Sequence, residues 1–265
     1  AYHVIFWRSI SGFIVFSFFL LRSGNTKKTL LPKMTKSKIL WIIGRGIVSA
    51  VSAIFLFTAV SVADMSEVGS LVNINPIFAV FFGWLLIREQ VNWKIIFAVI
   101  LAITGVFLVR NPFITGLSLG HLLVFFAAIF ISLDFVFMRK CSLLGFHTII
   151  IVFSMLIAGL VISVPVVLSQ GIMFPPPVMF LVVGAGTLDM VTQLFLTRAA
   201  KYLASGVISI ITLASVFEFM LWGYLFFNES VTLVNIVGAI CIVIASGATI
   251  ILRVRKKPKV KEQSA

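Results

Sequence analysis

Long apolar runs separated by short polar connections make up most of the chain. The runs fall at 4–21, 39–61, 67–87, 93–109, 117–138, 147–168, 178–197, 203–227 and 232–252, nine in all. A helix needs about 20 mainly apolar residues to cross roughly 30 Å of hydrocarbon. Periodicity does not separate a buried helix from a strand in such runs, but their length does. Transmembrane β-strands would read as alternating segments of about ten residues, and no such pattern occurs. The connections, among them Arg22 to Lys38, Arg88 to Asn92, Arg110 to Gly116 and Gln170 to Pro177, are too short for a separate soluble domain. The pattern predicts an all-α integral membrane protein with nine transmembrane helices.

Composition agrees. Of 265 residues, 61% are apolar and 11% charged, and the mean hydropathy is +1.18. A soluble domain is about a quarter charged. Three His and two Cys exclude a disulfide scaffold and a Cys/His zinc module. The net charge of +13 invites a nucleic-acid reading, but the basic residues sit in short clusters between apolar runs. With the C-terminal tail in the cytoplasm, the connections 22–38, 88–94, 139–146 and 198–202 and the tail hold 18 of the 21 Lys and Arg. Arg45 lies a turn or two inside a span from that side, and Arg8 and Arg110 fall to the other. Such asymmetry follows the positive-inside rule, and shifting the count by one span inverts it. Trp41 and Trp93 begin spans at the cytoplasmic boundary, as interfacial anchors do. The charge therefore reports topology and an anionic inner leaflet, not nucleic acid.

The sequence also matches itself at an offset of 140 residues. Gly44 and Gly46 meet Gly184 and Gly186, Phe55-Leu56 meets Phe195-Leu196, Gly83 meets Gly223, and Glu89 meets Glu229. With a two-residue insertion, Gly105 meets Gly247. Matching spans lie five apart, and an odd offset means copies of opposite orientation. Inverted-topology repeats are characteristic of secondary transporters. The first copy has four spans against five in the second. The chain starts at Ala1 and is hydrophobic by Val4, so the expectation is a fragment whose first helix lies upstream and whose complete form has ten. The domains expected are a first repeat over 1–110 lacking its first helix, a second over 117–253, and a basic cytoplasmic tail over 254–265.

With these repeats the chain resembles the drug/metabolite transporter superfamily and, within it, the EamA-like group. Asn75-Pro76-Ile77-Phe78, running through Gly83 to Arg88-Glu89, fits the pattern of the first repeat. Ser215-Val216-Phe217-Glu218, through Gly223 to Asn228-Glu229, fits the second, with Val216 where a Pro would stand. The resemblance covers nearly everything except the basic tail. It implies a small-molecule carrier of the cytoplasmic membrane, in a bacterium the inner membrane, moving metabolites such as amino acids.

Ionisable side chains at mid-membrane are costly and usually face the bundle interior or a wet cavity. Glu218, with Ser215 and Trp222 one turn away, reads either as a substrate or proton site or as a packing carboxylate paired with Arg45. Asp189, with Thr192 and Gln193 on its face, lines either a cavity or a helix contact. Asp134 lies five residues before Arg139 and is placed nearer the boundary, in a topological or packing role. Arg45, with Ser49 and Ser52 on its face, reaches Asp189 or Glu218, or else snorkels to the inner headgroups. Asn73 and Asn75 flank Pro76, whose missing N–H frees a carbonyl; they line a site or serve as interhelical glue. Glu89 and Glu229 are expected at the boundary as structural residues that cap the following helix.

His3, His121 and His147 stand near span ends without a Ser, Cys or metal-ligand partner at useful spacing. The chain has no phosphate-cradling Gly loop and no HExxH pair, and no polar filter segment of a channel. The function expected is a secondary transporter that moves a small, amino acid-like solute, cationic or zwitterionic, by alternating access with proton coupling. The alternative is a membrane-embedded enzyme or a lipid- or metabolite-modifying protein. The cavity is expected among Arg45, Asn73, Asn75, Asp134, Asp189, Gln193 and Glu218. No cofactor and no metal is expected. The partners are a small-molecule substrate and the lipid bilayer, and a homodimer stays open.

Overall fold

A computed structural model describes residues 2–22, 35–63, 65–109, 119–171, 176–213, 215 and 233–254. Most of these are helical, with no strand among the described residues. The helices are α1 (Tyr2–Arg22), α2 (Lys36–Val62), α3 (Met65–Val72), α4 (Asn75–Ile87), α5 (Trp93–Val109), α6 (Leu119–Leu143), α7 (Thr148–Gln170), α8 (Pro176–Ala199), α9 (Ser205–Thr212) and α10 (Leu233–Val254). Four stretches, Lys36–Val62, Leu119–Leu143, Thr148–Gln170 and Phe180–Ala199, are long and apolar enough to cross a membrane.

The polarity of the bundle is the reverse of a soluble protein's. Leu40, Trp93, Phe97, Leu168 and Phe180 are exposed, while Arg45, Asn75, Ser132 and Asp134 are buried. Hydrocarbon tolerates the first group and penalises the second.

α2 packs along α6, α5 along α10, and α1 against α7 and α8. Small residues permit the closest approaches. A Cβ on Gly46 would stand 2.5 Å from the Ser154 carbonyl of α7, and one on Gly105 would stand 2.6 Å from the Gly238 carbonyl of α10. Lys140 lies over the Trp41 ring at 5.6 Å, bringing the start of α2 to the end of α6. Arg139 donates to the Ala200 carbonyl just after α8. One end of the bundle thus gathers Arg139, Lys140, Arg198 and Lys201 and is strongly basic.

The run at 67–87 is not one helix. It breaks at Asn73-Ile74 into α3 and α4, with Pro76 in the first turn of α4, where a helix needs no N–H. The Asn73 amide donates to the Gly69 carbonyl at 2.5 Å, and the Ile74 N–H turns to the Leu71 carbonyl, closing the last turn of α3. The run at 203–227 begins as α9 and stops at Thr212; most of its remainder lies outside the described residues. Shifted by 140 residues, the bounds of α3 coincide with those of α9.

Candidate functional site

Two ion pairs occupy the bundle interior. Arg45 follows Lys36 by nine residues on α2, and Asp134 precedes Leu143 by nine on α6. At 1.5 Å per residue both lie about 14 Å from the basic end, near the middle of a bilayer. They meet directly, Nη1 donating to Oδ1, and the Arg45 side chain is wholly buried. Ser49 and Ser52 follow Arg45 on the same buried face, and the Ser52 hydroxyl donates to the Ser49 carbonyl at 2.8 Å.

The second pair joins α1 to α8. Arg8 Nε lies 3.5 Å from Asp189 Oδ2, with the side chains 21% and 30% exposed. A Cβ on Gly186 would stand 3.1 Å from Arg8 Cα, so the two backbones nearly touch one turn before Asp189. Arg8 also acts electrostatically on Asp134, which ties the two pairs into one charged layer. Gln193 is half-buried one turn beyond Asp189, while Thr192 is exposed and donates to the Leu188 carbonyl.

Several sequence expectations change here. The partner of Arg45 is Asp134 rather than Asp189, and Arg45 does not snorkel to the headgroups. Asp134 is not at the boundary: the guanidinium holds it inside. Arg8, counted from sequence with the opposite side, faces Asp189 within the bundle. The interior is thus two Arg against two Asp among the described residues, not one Arg against an acidic surplus. Glu218 and Glu229 lie outside the described residues.

Asn73 and Asn75 serve the helix break. The Asn75 carbonyl accepts from Ser132 Oγ of α6 at 2.8 Å, and its side-chain Oδ1 accepts from Ser209 Oγ of α9. These bonds join α4, α6 and α9, which is the interhelical role. Ser132 and Ser209 were not singled out from sequence, because neither hydroxyl carries a signal without knowledge of what packs against it.

At the basic end, Glu89 caps a helix, but not the one that follows it. Arg88 is left-handed, with φ of 54°, and turns the chain so that Glu89 N–H reaches the Gly83 carbonyl at 3.0 Å. The carboxylate then meets the N-terminus of α9, where Ala204 supplies no side-chain cap. Ser205 N–H donates to both oxygens at 3.1 Å, Ser205 Oγ donates to Oε2 at 2.6 Å, and Arg139 Nε stands 3.6 Å from Oε1. An anion at a helix N-terminus satisfies its open N–H groups and its dipole. Gly83 makes room: a Cβ there would stand 2.5 Å from Glu89 Oε2 and from Ser205 Oγ.

No group of three or more metal-ligating side chains occurs among the described residues. Cys141 and Cys241 are free thiols.

Known proteins agree with this architecture. The chain matches the EamA-like transporter family over residues 1–111 and 118–251. It is similar to the pseudopaline exporter of Pseudomonas aeruginosa, 22% identical over 250 residues, covering 92% of this chain and 84% of that one. It is also similar to human solute carrier family 35 member G1, 26% identical over 234 residues, covering 81% of this chain and 63% of that one. A solved crystal structure shares the fold with a TM-score of 0.73 at 18% identity, covering 96% of this chain and 88% of that one. Matched along nearly its whole length, the chain belongs to the EamA-like transporter family of the drug/metabolite transporter superfamily, and is an integral membrane transporter rather than an enzyme.

Proposed function

We propose that the chain is a secondary carrier that moves a small, amino acid-like solute across the cytoplasmic membrane by alternating access. The observation that carries this reading is where the interior charges come from. Arg45 and Arg8 belong to the first family-matched stretch, Asp134 and Asp189 to the second. Rocking one stretch against the other therefore breaks or remakes these pairs, and a solute between them interacts with both. Glu89 with Ser205 and Asn75 with Ser209 are further contacts across the same divide.

An inverted repeat is supported by the helix bounds. α2 starts at Lys36 and α8 at Pro176, again 140 residues apart. Yet α2 begins at the basic end and α8 finishes there, so the copies run in opposite directions. The basic end is the cytoplasmic one on the positive-inside rule, which puts the C-terminal tail in the cytoplasm and, in a bacterium, the protein in the inner membrane. Among the described residues, the two-against-two charge balance favours a zwitterion over a cation. Asp134, Asp189 and Glu218 are the residues proposed to bind or couple to protons, with Arg45 and Gln193 in the site. Asn73 and Asn75 act by holding the break that forms its wall.

Proteoliposomes assayed for amino-acid uptake with and without a pH gradient test the reading. Accumulation driven by the gradient supports it, and no accumulation of any solute rejects it. If Glu218→Gln and Asp189→Asn leave gradient-driven uptake unchanged, proton coupling through these groups fails.

A further inference from the structure

Arg45 is enclosed in the protein interior, yet only one of its three guanidinium nitrogens has a hydrogen-bond partner. Nη1 donates to Asp134, while Nε and Nη2 are both buried with no acceptor among the described residues. The two unserved nitrogens lie on one edge of the planar group. Their N–H bonds run parallel there and form the side-on fork that a carboxylate fills with two bonds at once. A buried donor left without a partner is costly, and more so when it is charged. Two on one edge, at mid-membrane depth, are an unmet demand for an acceptor of matching shape.

Among the described residues no acceptor meets them. Asp134 is engaged at Nη1, and the Ser52 hydroxyl, turned to the Ser49 carbonyl, makes no hydrogen bond with either nitrogen. The second cation of the layer, Arg8, adds to the donor excess, because its Nε also lacks a hydrogen bond and is held by Asp189 only as an ion pair at 3.5 Å. The layer is neutral as it stands, two Arg against two Asp among the described residues, so a zwitterion enters it without changing the balance.

We infer that the Nε–Nη2 edge of Arg45 binds the carboxylate of the transported solute. The inference rests on the carrier reading and narrows it: the substrate is a carboxylate-bearing metabolite, and its acid group, not its amine, is what the central arginine recognises. Asp134 then acts as a positioning residue that holds the guanidinium so that the open edge faces the solute.

Matched pairs that differ only in the acid group test this on the full chain. L-lysine with cadaverine, L-histidine with histamine and L-tryptophan with tryptamine are compared for heat stabilisation in detergent and for exchange in proteoliposomes. At least one acid is expected to stabilise and exchange, with its decarboxylated partner weaker by about ten-fold or more, as for a site whose buried donors are left unpaired. Arg45→Lys keeps the charge but removes the fork, and is expected to raise the apparent KM for the acid by about ten-fold and so to narrow the difference between acid and amine. The acid–amine comparison needs no variant, so it stands even if Arg45→Lys folds poorly. Amines that bind and exchange as well as acids overturn the inference while leaving the carrier reading intact, as does an unaltered KM in Arg45→Lys. If no member of the panel binds or moves, the amino acid-like carrier reading falls and this inference with it.

Discussion

Arg45 and Glu89 are both charges withdrawn from water that tie the first matched stretch to the second, and they are served very differently. The Glu89 carboxylate receives three hydrogen bonds from Ser205 and an ion pair from Arg139. Arg45 spends one nitrogen on Asp134 and keeps two unserved. A saturated charge is finished structure: it closes the basic end by fixing α4 to α9. A charge left short of partners at the centre is held at a cost that a bound acceptor would recover. The contrast separates a charge whose hydrogen bonds are met from one whose hydrogen bonds are not.

The largest effect that tests the contrast is removal of Arg45. Arg45→Ala leaves Asp134 buried without its cation and is expected to cost about 3–5 kcal/mol, seen as loss of folded protein or a large fall in melting temperature. The double variant Arg45→Met, Asp134→Leu is expected to recover most of that stability, because apolar groups of similar volume replace a buried pair without loss. It should not recover transport. Recovered transport in the double variant would reduce the central pair to packing.

At the basic end, Glu89→Ala is expected to cost about 2–3 kcal/mol, since charge-assisted bonds to the start of α9 are lost. Gly83→Ala should reach a similar outcome by pushing the carboxylate away from Ser205, at about 1–3 kcal/mol. Thermal denaturation of the two single variants and their combination checks this. The losses are expected to be far from additive, because both break one contact, and full additivity would mean that Gly83 acts elsewhere.

The smallest effect concerns His147, which caps α7 by accepting from Ile149 N–H through Nδ1 at 3.4 Å. Burial, then the Lys201 and Arg198 charges, hold its pKa below the usual 6.5. A lowered histidine pKa means that the unfolded chain takes up the proton first, so this contribution is whole above about pH 6.5 and fades as pH falls through the folded value. Protonation also removes the accepting lone pair. Asn at 147 caps without titrating, so the His147→Asn variant should lose this part of the acid sensitivity and little else; unchanged melting curves between pH 5 and 7 in both proteins would remove the cap from the account.

Much of the fold was legible. Runs long enough to span gave α2, α6, α7 and α8 to within a few residues, because length alone distinguishes a membrane helix. The break at Asn73 was only half legible. Pro76 announced a disturbed turn, but the chain parts two residues earlier, where the Asn73 side chain bonds back to the Gly69 carbonyl. The partners of Arg45 and Glu89 were not legible at all. Asp134 lies 89 residues from Arg45, and Ser205 lies 116 from Glu89, and no local spacing rule reaches that far. The 140-residue self-match was the one signal that could have suggested such pairings, because it implies two units facing each other. Arg8 was counted only by the side on which its span begins, which says nothing of the close approach at Gly186 that brings it to Asp189.

The most direct test of the central claim is two-sided labelling of the charged layer. Ser52→Cys, in a background with Cys141 and Cys241 replaced by Ser, is exposed to a membrane-impermeant thiol reagent in right-side-out and in inside-out vesicles. A site that opens alternately to each side predicts modification from both faces, slowed on both by a saturating transported acid. Modification from one face only, or from neither, under every condition would contradict alternating access around Arg45 and Asp134.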